Sequence, residues 1–231
     1  MNKTRPQIKI EVVSDVVCPW CYIGKRRMET AVEQLKDKYD FEITFSPFEL
    51  NPDMPVQGVD QSSYLSKKFG GAEQYAKVTG HVTQVARGEG LAFDFTKQKV
   101  SPNTRDAHRV IWFAKKKGLQ PAVKEVLMKA YFEQGVDLSK KDNLADVAAS
   151  AGMDRGEVMD MLQSNEYLSE VVTSEQISQQ RGVTGVPFYI INDKYGVSGA
   201  QPSSAFADIF QSIGSEISLQ GETCVTDGRD C

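Results

Sequence analysis

Apolar and polar residues alternate at the start of the chain and then change period. Positions 8–12 (IKIEV) place an apolar residue at every second position, which is the period of a β-strand. From Pro19 onward the apolar positions follow helical spacing, with charged residues on the other faces, at Ile23, Met28, Ala31, Val32 and Leu35. Positions 41–45 (FEITF) alternate again. The pattern therefore predicts a strand–helix–strand unit whose parallel strands are joined by a right-handed crossover.

A long helical region follows this unit. Turn signals such as Gly70-Gly71 and Gly152 separate amphipathic stretches, which predict helices at 61–69, 72–88, 103–117, 121–133, 141–151, 155–163 and 166–181. We therefore expect residues 51–182 to form an all-helical insertion.

Strand character returns after the insertion. Two short strands, Phe188–Ile191 and Tyr195–Ser198, are predicted to form a hairpin, and a last helix is predicted over Ser203–Ile213. The segment that follows is polar. The expected α/β architecture is a discontinuous domain from residues 1–50 and 183–216, the insertion at 51–182, and a polar C-terminal tail at 217–231.

Composition and charge narrow the classes of function. Of 231 residues, 40% are hydrophobic and 25% are charged, which is typical of a folded globular protein. The 27 basic and 31 acidic residues are mixed along the chain, so neither nucleic acid nor an anionic membrane is expected as a partner. No run approaches the roughly 18 apolar residues of a membrane span. The N-terminus has no signal-peptide pattern, so we expect a cytoplasmic protein.

Two cysteines lie where the first strand turns into the first helix, in the stretch VVCPWCY. Cys18 falls at the predicted helix start, where free backbone N–H groups favour an anion such as a thiolate. Pro19 suits the first helical position because it needs no hydrogen-bond donor there. Cys21 lies one turn further on the same side, within reach of a disulfide. We expect an exposed, attacking Cys18, a more buried, resolving Cys21, and an exposed Trp20 that contacts apolar parts of a substrate.

Other interpretations of the pair are weaker. Two ordinary core thiols would have no reason to coincide with a strand-to-helix junction. A zinc site needs four ligands, and the other cysteines, Cys224 and Cys231, lie about two hundred residues away. We therefore predict no metal. If any of the basic residues at 25–27 turns back toward the cysteines, its positive charge adds to the electrostatic field that favours a thiolate.

A second informative segment is GVTGVPFYI. A proline directly before an apolar strand makes the Val186-Pro187 bond a candidate cis peptide. The alternative is a trans proline that opens an edge strand, and the local sequence does not separate the two.

The segments SDVVCPWCYIGKRR and GVTGVPFYIINDKYGVSGAQP together resemble the DsbA-like thioredoxin superfamily, more closely its cytosolic FrnE-type branch. That branch is often labelled together with 2-hydroxychromene-2-carboxylate isomerases. The resemblance extends from about residue 8 to 213. It implies a thioredoxin-like fold, with a central mixed β-sheet flanked by helices and a helical insertion. It also implies that Pro187 is a cis-proline facing the cysteines, and that the Val186 backbone pairs with an extended substrate peptide.

Within the superfamily, the residues favour disulfide exchange. Glutathione-dependent relatives, the kappa-class transferases and chromene-carboxylate isomerases, typically carry serine where this chain has Cys18. We expect a protein disulfide oxidoreductase or isomerase that acts on protein or peptide disulfides and thiols, with glutathione as a further co-substrate and no permanently bound cofactor. The alternatives are a glutathione-dependent isomerase or transferase and, third, a non-enzymatic binding module. A monomer and a homodimer both fit the sequence.

Four further residues are candidates with competing explanations. Asp15 is either a proton relay or a strand-end turn residue, and His108 either lies at the cleft or is a packed helix side chain. Cys224 and Cys231, in CVTDGRDC, are either a second dithiol that recharges the first pair or two exposed tail thiols.

Overall fold

The computed structural model describes residues 5–227, with side chains described up to residue 217. Its main sheet has four strands in the order β2-β1-β5-β6, with bounds β1 Gln7–Ser14, β2 Asp40–Pro47, β5 Phe188–Ile191 and β6 Tyr195–Ser198. β2 runs parallel to β1, whereas β5 is antiparallel to β1 and β6 to β5. This is the mixed sheet of a thioredoxin-like fold, and it confirms the predicted fold class.

Two helices pack on one another beside this sheet. They are α1, Pro19–Leu35, and α9, Ser203–Asp227. Because side chains alternate along a strand, Ile8, Ile10 and Val12 of β1 belong to the main core with these helices. Val13 belongs to a smaller cluster with Val183. Both clusters bury the strand that leads into Cys18.

The region between β2 and β5 is mainly helical. Its helices are α2 Gln61–Phe69, α3 Ala72–Gly88, α4 Arg105–Lys116, α5 Gln120–Lys129, α6 Lys141–Ser150, α7 Arg155–Gln163 and α8 Leu168–Gln180. These confirm the predicted helices to within a few residues. Two features were not predicted: a two-stranded pair, β3 Val59–Asp60 with β4 Val100–Ser101, and a π-helical turn at Ala130–Gln134 that continues α5. The insertion is therefore not purely helical.

The prediction that the last helix ends at Ile213 is wrong, because α9 continues to Asp227. Its buried residues Phe206, Phe210 and Ile213 are followed by Ile217, which also packs against the core, so the apolar period extends past Gly214. At Gly214 a Cβ atom would overlap the Tyr39 ring, so glycine lets the helix pass this ring. The predicted tail at 217–231 therefore begins as helix.

Among the helices of the described residues, none is long and apolar enough to cross a membrane.

Candidate active site

The junction between β1 and α1 holds Cys18 at the helix N-terminus. Cys18 has an extended backbone (φ −88°, ψ 112°), and Pro19 is the first helical residue, as predicted. The Cys18 carbonyl accepts the N–H groups of Cys21, at 3.1 Å, and Tyr22, at 3.4 Å. These bonds close the first turn, so Cys18 and Cys21 lie one turn apart. Both are free thiols in this structure.

Cys18 is less exposed than expected, at 4%. Its thiol donates to the carbonyl oxygen of Val186 at an Sγ–O distance of 3.6 Å. The Val186-Pro187 peptide bond is cis, and Pro187 is buried while Val186 is half-buried. The segment reaches the cysteine because β5 pairs with β1, Phe188 opposite Val13, so the loop before β5 lies at the end of β1.

Cys21 lies deeper than Cys18, with 1% of its surface exposed. Burial raises its pKa well above the ordinary value, and the hydrogen bond and charge of Cys18 raise it further. Lys124 and the backbone at Asp15 act in the opposite direction. Cys21 is therefore held as a protonated thiol behind Cys18, and its reaction requires a group that takes its proton.

Asp15 and His108 lie together behind the site, although sequence patterns treat them as separate candidates. Both side chains are buried, and His108 Nε2 lies 3.4 Å from Asp15 Oδ1 and 3.2 Å from the Phe48 carbonyl. The Leu50 N–H donates to Asp15 Oδ2 at 2.8 Å. Burial favours a neutral Asp15, but the hydrogen bond and charge of His108 and the Leu50 N–H outweigh it and lower the Asp15 pKa. Asp15 is therefore a buried carboxylate.

A third buried ionisable residue beside the cysteines, Lys124 of α5, was not predicted. It is 1% exposed, and its Nζ lies 3.5 Å from the Ser14 carbonyl oxygen and 6.0 Å from the centre of the Phe45 ring. Burial lowers its pKa to about 8, against the attraction of Cys21, Asp15 and Cys18. A lysine with this pKa exchanges protons near neutral pH, so it can serve a buried thiol as an acid or a base.

Trp20 is half-buried rather than exposed. Its ring packs against that of His81 on α3, with centroids 6.3 Å apart. Helix α3 of the insertion therefore covers part of Trp20.

Comparison with protein families matches residues 9–211 to the DsbA-like thioredoxin domain. The chain belongs to this family.

Relatives of this DsbA-like chain cover most of its length. The probable DsbA oxidoreductase SCO1869 from Streptomyces coelicolor is 31% identical, with a TM-score of 0.83 and coverage of 89% of each chain. The uncharacterized protein YwbO of Bacillus subtilis (strain 168) is 27% identical over 88% of this chain and 94% of its own. A 2-hydroxychromene-2-carboxylate isomerase structure shares the fold, with a TM-score of 0.65 at 14% identity, covering 94% of this chain and 98% of that chain.

The basic residues at 25–27 do not turn toward the cysteines. They form ion pairs that join α1 to the insertion. Lys25 and Arg26 both form ion pairs with Glu125 on α5, the Arg26 pair at 2.6 Å. Arg27 pairs with Glu89 at 2.6 Å. Burial opposes ionisation of Glu125, but Lys25 and the hydrogen bonds at this carboxylate lower its pKa to about 2. These ion pairs fix α5, the helix that carries Lys124, against α1.

The second cysteine pair lies at the edge of the described chain. Cys224 falls within α9, where side chains are not described, and Cys231 lies outside the described residues. Its proposed role as a second dithiol stays a prediction.

Proposed function

We propose that the protein is a thiol–disulfide oxidoreductase in which Cys18 attacks a substrate disulfide and Cys21 resolves the mixed disulfide. The observation that carries this proposal is the placement of the Cys18 thiol at a helix N-terminus, 3.6 Å from the Val186 carbonyl, with a buried Cys21 thiol one turn behind it. Family membership supports thiol–disulfide chemistry in general.

Two exchanges make up the reaction. The Cys18 thiolate attacks one sulfur of the substrate, forms a Cys18–substrate disulfide and expels the other substrate sulfur, which takes a proton. Cys21 then loses its proton, attacks the Cys18 sulfur, and releases the second substrate thiol. The substrate disulfide is reduced by two electrons and the protein dithiol is oxidised to a Cys18–Cys21 disulfide. Each step is reversible, so the same groups oxidise a dithiol substrate when the protein starts as the disulfide.

The surrounding residues have defined parts in this proposal. Val186 positions the substrate chain by backbone pairing. Pro187, whose carbonyl accepts the Gly199 N–H at 2.8 Å, holds the Val186 segment against the sheet. The neutral fraction of Lys124, which is present near neutral pH because its pKa is about 8, takes the Cys21 proton, and the ammonium group that results favours the Cys21 thiolate. Asp15 and His108 hold the loop after β2 through Leu50 N–H and the Phe48 carbonyl. Electrons pass between sulfurs, so the reaction needs no resident cofactor. Protein or peptide disulfides and glutathione are the proposed partners, and the cytoplasm the proposed location.

A matched pair of variants tests the proposal in a single turnover of the reduced protein with a quenched fluorescent disulfide peptide, without glutathione, because glutathione would itself release a mixed disulfide at Cys18. Cys21→Ser should stop at a mixed disulfide at Cys18, visible by mass spectrometry. Cys18→Ser should lose turnover and form no adduct. A glutathione-dependent isomerase needs only the sulfur at Cys18, so a Cys21→Ser protein that keeps glutathione-dependent isomerisation of 2-hydroxychromene-2-carboxylate and forms no adduct with the peptide would favour that alternative.

A further inference from the structure

The side chain of Tyr189 runs from the centre of the main sheet to α1. Tyr189 is paired with Val12 on β1 and with Val197 on β6, so strands flank it on both sides. Its ring packs against Phe206 of α9, with centroids 4.7 Å apart. Its hydroxyl reaches α1 at Gly24, where a Cβ atom would overlap the phenol oxygen. Glycine at position 24 therefore leaves room for this hydroxyl.

The Tyr189 hydroxyl is buried without a hydrogen-bond partner among the described residues. The residue has no exposed surface, so bulk water does not replace that partner. Buried polar side chains in folded proteins usually have a partner, and phenylalanine would fill nearly the same space without an unpaired donor. An acceptor that forms only during the reaction would account for a hydroxyl at this position.

The hydroxyl lies on the face of α1 that carries Cys21. Cys21 and Gly24 are three residues apart, so they are neighbours on one face of the helix. Because Cα–Cβ bonds in a helix tilt toward its N-terminus, the Cβ position of Gly24 lies toward Cys21. The Tyr189 oxygen occupies that position, and Tyr189 and Cys21 belong to the same core cluster. The resolving thiol therefore has a buried hydroxyl beside it.

Tyr189 keeps its proton when Cys21 loses one. Burial raises the Tyr189 pKa well above its ordinary value, and negative charge on Cys21 and Cys18 raises it further. Of the other charged groups that act on the phenol, Arg27 lowers this pKa and Glu29 raises it. A thiol is a weak hydrogen-bond acceptor, whereas a thiolate accepts a charge-assisted bond. The phenol is therefore a neutral donor that gains an acceptor when Cys21 ionises.

We propose that the Tyr189 hydroxyl donates a hydrogen bond to the Cys21 thiolate as this thiolate attacks the mixed disulfide. In this step neutral Lys124 takes the Cys21 proton, the Cys21–Cys18 bond forms, and the bond from Cys18 to the substrate sulfur breaks. The substrate leaves as a thiolate and takes a proton from solvent, while Tyr189 keeps its own proton. The inference rests on the proposed function and adds a catalytic residue to its second exchange.

The hydrogen bond should change the rate of this exchange by a moderate factor. A charge-assisted bond that lowers the Cys21 pKa by about 1–2 pH units raises the thiolate fraction at pH 7 by about 10–100-fold. The same change makes the thiolate less nucleophilic, with a Brønsted coefficient of about 0.4–0.5, which cancels nearly half of the gain on a logarithmic scale. We therefore expect release of the substrate to be about threefold to tenfold faster with the hydroxyl than without it.

Tyr189→Phe tests the inference in a single turnover of the reduced protein with an excess of disulfide peptide. Acid quenching and mass spectrometry follow the adduct at Cys18, so its formation and its decay give separate rate constants. At pH 7, Tyr189→Phe should form the adduct at the wild-type rate and release it about threefold to tenfold more slowly. Tyr195→Phe is the matched control on the neighbouring strand β6, where the hydroxyl bonds Glu216, and it should keep both rate constants.

The dependence on pH separates a hydrogen bond to the thiolate from a change in packing. The deficit of Tyr189→Phe should shrink as the pH rises toward 10, because Cys21 then ionises without the added bond. Cys18, Lys124 and the backbone at Asp15, the other groups that act on the Cys21 pKa, are the same in both proteins. A wild-type rate of release at pH 7 would overturn the inference, as would a deficit that grows with pH or an equal slowing of both steps.

Urea unfolding measures whether the hydroxyl is unpaired in the resting protein. Tyr189→Phe should leave the free energy of unfolding unchanged or raise it, because it removes a buried donor without a partner. A clear loss of stability would mean that the hydroxyl already has a partner before the reaction, which contradicts the inference.

Failure of the proposed function gives a different result from failure of the inference. If Cys21→Ser forms no adduct with the peptide, the proposed function is wrong and the inference falls with it. If Cys21→Ser forms the adduct but Tyr189→Phe releases its substrate at the wild-type rate, thiol–disulfide exchange stands and Tyr189 has no part in it.

Discussion

Replacing Lys124 with methionine should make the protein more stable at neutral pH and slower to close its disulfide. Lys124 is 1% exposed, and burial lowers its pKa from the usual 10.5 to about 8. At about 1.4 kcal/mol per pH unit, this difference corresponds to roughly 3 kcal/mol spent on keeping the ammonium group in the core. Methionine has a similar shape and no charge, so it should recover much of that free energy of unfolding.

The effect should depend on pH. Below pH 8 the lysine is protonated in the folded and unfolded states, so the full cost of burying the charge is present. Between pH 8 and 10.5 the folded protein loses this proton while the unfolded chain keeps it, so the unfolded state binds more protons and the wild-type protein gains stability from this group as the pH rises. The advantage of Lys124→Met should therefore be largest below pH 8 and shrink toward pH 10.5.

Urea unfolding of the reduced proteins, followed by circular dichroism at pH 7 and pH 10, measures the stability gained by Lys124→Met and its dependence on pH. Lys129→Met is the matched control, because Lys129 is exposed on the same helix, and it should change stability by less than about 0.5 kcal/mol. In stopped-flow exchange, Lys124→Met should also accumulate mixed disulfide, because the Cys21 thiolate loses a favourable charge. A variant that is destabilised equally at both pH values would refute the reasoning, since the lysine would then act through packing alone.

Three further substitutions have defined outcomes. Asp15→Asn should lower the free energy of unfolding by about 1.5–3 kcal/mol at pH 7, because it removes a charged hydrogen-bond acceptor. It should also flatten the loss of stability below pH 4, because Asp15 has a lowered pKa and stabilises the fold only while it is ionised. Urea titrations at pH 3 and pH 7 measure both effects. Glu175→Gln should remove a fall in stability between pH 4.5 and 7, since burial raises the pKa of this carboxyl to about 7; melting temperatures at pH 5 and 8 measure it. Gly24→Ala should lower the free energy of unfolding by about 1–3 kcal/mol, because the new Cβ would overlap the Tyr189 hydroxyl. Gly88→Ala is the control and should not lower it, because a Cβ at this position would meet open space.

Local patterns were sufficient for most elements of the fold. Helices at 61–69, 72–88 and 155–163 and both hairpin strands have their predicted bounds, because apolar period and glycine or proline punctuation are local signals. The end of α9 was missed because the segment after Ile213 is mostly polar and contains Gly214, although Ile217 continues the apolar period. That helix is supported by contacts with α1 and Tyr39, which are distant in sequence.

Only those residues of the candidate site that belong to a local sequence motif were predicted with their place in the site. The cysteine motif and the residues Val186-Pro187 can be recognised from the sequence, because each lies at the boundary of a predicted helix or strand. Lys124 gave a weak signal: it falls among the buried positions Val123, Leu127 and Met128 of an amphipathic helix, where a lysine is unexpected. The contact of His108 with Asp15 and a cavity beside Pro19 form where the insertion packs against the main sheet and α1. Such contacts join residues that are distant in sequence, so a local hydrophobic period does not predict them.

The most direct test of the central claim is a redox titration in glutathione buffers, with the Cys224→Ser/Cys231→Ser protein so that only the first pair contributes. Samples are alkylated and digested, and mass spectrometry counts the free thiols in the peptide that contains Cys18 and Cys21. We expect a single two-electron transition between two alkylated cysteines and an intact Cys18–Cys21 disulfide. Full alkylation of both cysteines at every ratio of oxidised to reduced glutathione would contradict thiol–disulfide exchange through this pair.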